Sequence, residues 1–311
     1  MKKIVGCTLG LIGLVAGCGG DAKTNVDAAI VDAAGDAARV DAGADGFVTL
    51  LGRDWSLMPG QETYRCRRVV VPTDMYITAF RAVAPVGTHH TVVTLSDSGP
   101  LGDYDCNAGN LDFKMLYASG VGTDDLTFPI GVAIKVKAGQ RVNINLHLFN
   151  TSDQVVTGTS GVKVKTVAAA AVTAEAEMFF GGTFNLNIPS GAAPVVQSGS
   201  CTVTHDYNLF GLWPHMHQYA THQKVVLTRA AVPMTLLDDA FTFVEQRNYP
   251  LATPLAVKVG DQIQVTCTYQ NNSGTTIRFG DSSDAEMCLT GLYRYPVVPS
   301  GNLFECTEGS M

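Results

Sequence analysis

The stretch RVNINLHLFN, residues 141–150, decides the fold. Val142, Ile144, Leu146 and Leu148 alternate with Asn143, Asn145, His147 and Phe149. A period of two marks a β-strand, in which successive side chains point to opposite faces. One face is apolar and belongs against a core; the other is polar and carries His147. Such alternation fits an antiparallel sheet covered on one side. Outward from this stretch, runs rich in Val, Ile, Thr and aromatic residues recur between Gly, Pro and Asn: RRVVVPTDMYITAF (67–80), GVAIKVKAG (131–139), QKVVLTRA (223–230) and DQIQVTCTYQNN (261–272). Their spacing predicts an all-β chain of two tandem antiparallel β-sandwiches. The helix-like patch VAAAAVTAEAEMFF (167–180) reads as a connector running into a strand. The expected domains are therefore 47–166 and 167–311.

The first residues, MKKIVGCTLGLIGLVAGCGG, place Lys2 and Lys3 before an apolar run too short to span a bilayer. This is the shape of an export signal, expected over 1–17. Val15-Ala16-Gly17 before Cys18 resembles a bacterial lipobox. It implies lipidation of Cys18 and an extracytoplasmic protein anchored to a membrane, the outer membrane by expectation. Residues 18–46 are nearly all Ala, Asp, Val and Gly, with too little to bury, and read as a disordered tether. The formal net charge is −7, and no basic footprint for nucleic acid stands out. Membrane contact is expected through the lipid alone, and the chain is expected to be a monomer. Of the eight cysteines, Cys7 leaves with the signal and Cys18 takes the lipid. Cys66, Cys106, Cys201, Cys267, Cys288 and Cys306 remain, an even set that reads as disulfides in an oxidising compartment, with the pairing open.

Two groups of metal-ligand types stand apart in the chain. In the first half, APVGTHHTVV (84–93) holds His89 and His90. Adjacent strand residues face opposite ways, so both can reach one ion only if the chain bends, which Gly87 permits. His147 lies on the polar face of its strand. Taken singly, each of these histidines reads as a surface or hydrogen-bonded imidazole. Three of the seven in one half shift the reading toward a site. In the second half, GLWPHMHQYATH (211–222) sets His215 and His217 two apart, on the strand face shared with Trp213 and Tyr219. Later, Met287, Leu289, Gly291 and Tyr293 share a face, with Cys288 on the other. A thioether beside two imidazoles suits Cu(I), whereas zinc prefers Cys, His and carboxylate. His205 and His222 read as non-ligands.

Taken together, TYRC (63–66), His89-His90, His147, HMH (215–217) and SSDAEMC (282–288) resemble the copper type II, ascorbate-dependent monooxygenases, which include peptidylglycine α-hydroxylating monooxygenase and dopamine β-hydroxylase. The resemblance covers about residues 50–311. It implies two jelly-roll-like sandwiches facing each other across an open, water-filled cleft, and two coppers per chain. His89, His90 and His147 match the electron-transfer copper; His215, His217 and Met287 match the oxygen-binding copper. It implies the pairings Cys66–Cys106, Cys201–Cys306 and Cys267–Cys288. It further implies hydroxylation of a C–H bond of a small organic substrate by O2, with ascorbate or another one-electron donor as co-substrate. A further bridge of the family near the His pair is absent, since its cysteines are missing here.

The pattern departs where the peptide-hydroxylating branch holds a substrate carboxylate. An Arg, a Tyr and an Asn of that branch correspond here to Trp213, Gly291 and Leu289. A buried carboxylate without a partner is costly. The expected substrate is therefore neutral and apolar or aromatic, with Trp213 as one wall and Gly291 leaving room; Trp213 reads equally as core packing. The rival reading is a non-catalytic extracytoplasmic copper-binding lipoprotein. A sugar-binding or adhesion sandwich leaves the six matched ligands unexplained.

Overall fold

The structure is a computed structural model that describes residues 45–309 apart from 111, 113, 121, 244, 299 and 300. The expected signal (1–17), Cys18 and the expected tether up to residue 44 lie outside the described residues.

The described chain is built of strands, and its one helical element is a 3₁₀ turn at Ala169–Ala171. The first ten strands are β1 (Val48–Leu57), β2 (Glu62–Val70), β3 (Met75–Val83), β4 (Thr88–Ser96), β5 (Gly102–Asp105), β6 (Lys114–Gly120), β7 (Leu126–Thr127), β8 (Val132–Val136), β9 (Arg141–Phe149) and β10 (Val156–Thr166). The short β11 (Ala174–Glu175) follows. Then come β12 (Glu177–Thr183), β13 (Val195–Thr202), β14 (Tyr207–His215), β15 (Ala220–Arg229), β16 (Val232–Ala240), β17 (Tyr249–Val257), β18 (Gln262–Tyr269), β19 (Cys288–Tyr295) and β20 (Cys306–Glu308). The first half makes two sheets, ordered β1-β10-β3-β8-β11 and β5-β2-β9-β4-β6. The second makes two more, β17-β14-β19-β12-β20 and β13-β18-β15-β16. The expected connector is a break of irregular chain, the 3₁₀ turn and β11, which still pairs with β8.

The four sheets hold a repeat that the strand pattern had not disclosed. VKAGQRVNINLHLFNTS (136–152) and VKVGDQIQVTCTYQNNS (257–273) align without a gap at a spacing of 121 residues, as from Asn150 to Asn271. The turns before β9 and β18 use the same bonds. Val71 N–H donates to Gln140 O as Val203 N–H donates to Asp261 O; Gly139 and Gly260 N–H return the bond. The turns after these strands match too: Asn150 and Asn271 are fully buried and accept from Ser152 and Ser273. Strand pairing follows suit, since β2-β9-β4-β6 corresponds to β13-β18-β15-β16 and β8-β3-β10-β1 to β17-β14-β19-β12.

The two halves are not sealed apart. One apolar cluster joins Leu126, Phe128 and Tyr117 of the first to Phe210, Trp213 and Tyr293 of the second, and Phe128 and Phe210 pack with ring centroids 4.9 Å apart. Three disulfides close: Cys66–Cys106, Cys201–Cys306 and Cys267–Cys288, the pairings that the resemblance implied. The polar face of β9 differs from its sequence reading. Asn143, Asn145 and His147 are buried, because β9 is central and neighbouring side chains and the 106–110 loop pack on that face; Asn145 Nδ2 donates to Asn107 O at 2.9 Å, Tyr104 Oη meets Asn143, and Tyr64 stacks on His147.

Candidate metal centre

His89, His90 and His147 come together with one potential ligand atom from each lying within 4.8 Å of the others. The chain achieves this with a β-bulge. Against β9, Thr88 pairs with Leu148 and His90 with His147, so His89 is the extra residue. Gly87 before it has φ +99°, and a Cβ there would lie 2.6 Å from the Trp55 ring, so only glycine fits without rearrangement. His89 Nδ1 and His90 Nδ1 lie 3.0 Å apart. His147 is held from behind. Its Nε2 lies 2.6 Å from Glu62 Oε1, and Tyr64 stacks on its ring at 4.5 Å. An ionised carboxylate only accepts, so Nε2 carries the proton and Nδ1 keeps its lone pair. That Nδ1 is buried without a hydrogen-bond partner.

The second group forms differently from its sequence reading. β14 ends at His215, and His217 lies in the turn to β15, where Ala220 N–H donates to His217 O. The two rings meet edge to face at 5.4 Å through that turn, not through the pleat. Both use Nδ1 for hydrogen bonds, His215 to Gln246 Oε1 at 2.8 Å and His217 to Ala285 O at 3.1 Å. Each thus presents Nε2. Met287 sits immediately before β19 and is half-buried. Its N–H and the N–H of His217 donate to the same oxygen, Glu286 Oε2, at 3.2 and 2.9 Å. The structure therefore brings the backbones of Met287 and His217 together.

The two groups also meet each other, where the resemblance implied an open cleft between the sandwiches. His90 and His215 rings stand 6.0 Å apart. A strap, residues 241–243 and 245–248, runs across both groups. Its Phe243 ring lies 4.0 Å from His89 and 6.2 Å from His217. Its Gln246 holds His215 and accepts Gly120 N–H from the first half at 3.0 Å, while Asn248 Nδ2 donates to Ala118 O.

Trp213, Leu289 and Gly291 lie on neighbouring strands, with Trp213 directly opposite Gly291. Trp213 is 1% exposed and stacks on His215 at 4.6 Å; Leu289 is 4% exposed. Room for bulk at Gly291 is not present. A Cβ there would come within 1.9 Å of Met178 Cε, so Met178 from β12 fills the space that the missing side chain leaves. His205 and His222 lie outside both groups; His222 pairs with Asp238 at 3.0 Å and His205 with Thr204 at 3.0 Å.

Burial sets the charge of the site. It lowers His89 and His217 to about 4 and His215 to about 3, with neighbouring histidines adding to the effect at His89 and His215. It drives His90 well down, and it lowers His147 against the pull of Glu62. All five are neutral imidazoles at pH 7, the form a metal binds. With every remaining cysteine of the described chain in a disulfide, the donors are imidazole and thioether, a set that fits copper. Strand periodicity does not single out Glu62, Phe243, Gln246 or Glu286. Glu62 could have been found through strand pairing, since it lies two residues before Tyr64, the partner of His147 on β2.

Residues 174–309 match the family described as copper type II ascorbate-dependent monooxygenase, C-terminal domain. Over 243 residues the chain is 25% identical to the Homo sapiens protein named "Putative DBH-like monooxygenase protein 2"; the match covers 70% of this chain and 48% of that protein. The chain thus spans about half the length of this curated relative. Among solved structures, it is similar to the infectious bursal disease virus T13 particle at 9% identity and TM-score 0.21, covering 84% of this chain and 72% of that one. It is also similar to latent PorU from Porphyromonas gingivalis at 7% identity and TM-score 0.21, covering 76% and 24%. Likeness of that size carries no argument. The family match and the DBH-like relative support the copper type II monooxygenase family.

Proposed function

We propose that this chain is a copper monooxygenase that hydroxylates a C–H bond of a small organic substrate with O2 and ascorbate or a similar one-electron donor. The proposal includes two coppers per chain, a domain boundary near residue 167, lipidation at Cys18 and a monomer outside the cytoplasm. The carrying observation is the meeting of two neutral ligand groups of different make-up, with His90 and His215 in ring contact. A copper carrier needs one site; two dissimilar sites side by side suit redox chemistry. Copper bound there supplies the one-electron steps that reduction of O2 requires. The chain supplies the rest. Glu62 orients His147, Gln246 and Ala285 O orient His215 and His217, and the strap bearing Phe243 shields both groups from water.

The burial of Trp213, Leu289 and Met178 favours a second reading, a copper-binding lipoprotein without turnover. One experiment separates the two. Copper-loaded protein is given ascorbate, and O2 uptake is followed as neutral apolar and carboxylate-bearing candidate substrates are added. Substrate-dependent uptake with hydroxylated product supports the monooxygenase. Two bound coppers with no such uptake support the second reading, and no copper binding overturns both.

A further inference from the structure

Glu286 is a fully buried carboxylate. It accepts His217 N–H at 2.9 Å, Tyr219 N–H at 2.7 Å and Met287 N–H at 3.2 Å. The N–H groups of His217 and Tyr219 are two apart in the β14–β15 turn and point at its two oxygens, one each. Successive turn amides of this kind form a concave anion site, and here the chain fills it with its own side chain. Its hydrogen-bond donors are backbone N–H groups, and no ion pair to Lys or Arg is seen among the described residues. Burying a carboxylate without a cation is expensive, and an apolar or amide side chain would avoid that cost.

The position of the clamp supplies a reason. Met287 is pinned on both sides, by Glu286 to the His217 turn and by Cys288 to Cys267 on β18, while Tyr269 Oη–H donates to Met287 O at 2.7 Å. The two proposed ligands come from segments 70 residues apart, His217 and Met287, and one carboxylate oxygen holds both backbones.

Resting on the copper reading above, we propose that Glu286 is a positioning residue of the His215–His217–Met287 site: it locks the His217 turn against Met287, so that imidazole and thioether are held in place for one ion. Glu286→Gln tests this, because the amide NH2 cannot accept, so at least one of the three N–H groups loses its acceptor while side-chain volume is kept. The full chain is titrated with Cu(I) against a chromophoric chelator, and X-ray absorption reads sulfur scattering at the copper. The expected result is a loss of about 10–100-fold in affinity at one of two sites, weaker sulfur scattering and an unchanged second site. Glu286→Asp, which keeps two accepting oxygens but shortens the reach, is expected to show a smaller loss. A merely structural role would instead lower the melting temperature of metal-free protein and leave the copper-induced rise in melting temperature intact; that outcome, or wild-type affinity and sulfur scattering in Glu286→Gln, overturns the proposal. If wild-type protein binds copper without any sulfur scattering, Met287 is not a ligand, and the reading of this site falls together with the proposal.

Discussion

The two halves of the chain share a strand plan but turn different sheets toward the centre. In the first half the proposed ligands sit on β4 and β9, in the sheet that contains the repeated segment 136–152. In the second half the equivalent strand, β18, carries Thr268 where β9 carries His147, and the proposed ligands come from the opposite sheet, at the end of β14, in the turn after it and just before β19. One scaffold therefore leaves the Nδ1 of His147 free on one of its sheets and the Nε2 of His215 and His217 free at the other. The lesson is that ligand chemistry is set by local devices laid on the fold, a bulge at His89 and a turn at His217, more than by the fold itself.

The sharpest way to break this comparison is to remove one ligand from each half. Replacing His147 by Ala is expected to cut copper from two to one per chain and to spare the second site. Replacing Met287 by Ile is expected to spare the three-His site. Either variant should abolish substrate-dependent O2 uptake. Metal analysis and Cu(II) spectra read the outcome; equal loss from both sites in either variant would mean that the groups are one site rather than two.

A smaller effect is expected from the disulfide beside Met287. Cys267–Cys288 closes a 21-residue separation within the second half. Replacing both cysteines by Ala should cost about 2–5 kcal/mol, and should weaken copper in that half before the other. Denaturant melts with and without copper check both parts. Loss of copper first from the three-His site would contradict the assignment of Met287.

Metal-free protein should be sensitive to acid. The five site histidines have folded pKa values below the ordinary value of 6.5, at about 4 for His89 and His217 and about 3 for His215. Between those values and 6.5 the unfolded chain binds more protons, so stability rises with pH there and is lost as pH falls below 6.5. Glu286 opposes this, since burial raises it to about 7 and the folded state then holds its proton above 4.5. One carboxylate against five imidazoles leaves the histidine sign in place. Copper should flatten the acid dependence, because protons then compete with metal for the same nitrogens. Thermal melts from pH 4 to 7 test this; a melting temperature that falls steadily with rising pH would reverse the sign.

The all-β plan, the strand at 141–149 and the grouping of His89 and His90 with His147 were legible because period-two patterning and a nearby glycine carry them. The resemblance, not the patterning, supplied the cysteine pairs. Three features were not legible. His217 reaches His215 by a turn whose bend depends on Glu286, a contact 69 residues away. Gly291 reads as empty space until β12 is placed beside β19, when Met178 fills it. Phe243 and Gln246 lie on an irregular strap with no period to read. Each depends on tertiary register, which a one-dimensional pattern does not contain.

The smallest and most exacting test concerns the repeat itself. Asn150 Nδ2 donates to Leu57 O, Met58 O and Gln154 O at 3.2, 3.0 and 2.8 Å. Asn271 Nδ2 donates to Ile188 O and Thr275 O at 2.7 and 2.8 Å. In each, Oδ1 accepts both the N–H and the hydroxyl of the serine two residues on. Replacing either by Ala leaves buried carbonyls without a donor, at a cost of about 1–3 kcal/mol. If the halves are built on one device, the two costs should agree. Neither turn carries a ligand, so copper content should hold in both variants. The turns share no partner, so the double variant should cost the sum of the singles to within about 0.5 kcal/mol. Urea melts of the three variants measure this. A near-neutral change at one asparagine beside a large one at the other would mean that the matching bonds are superficial, and that each half closes its sandwich by different means.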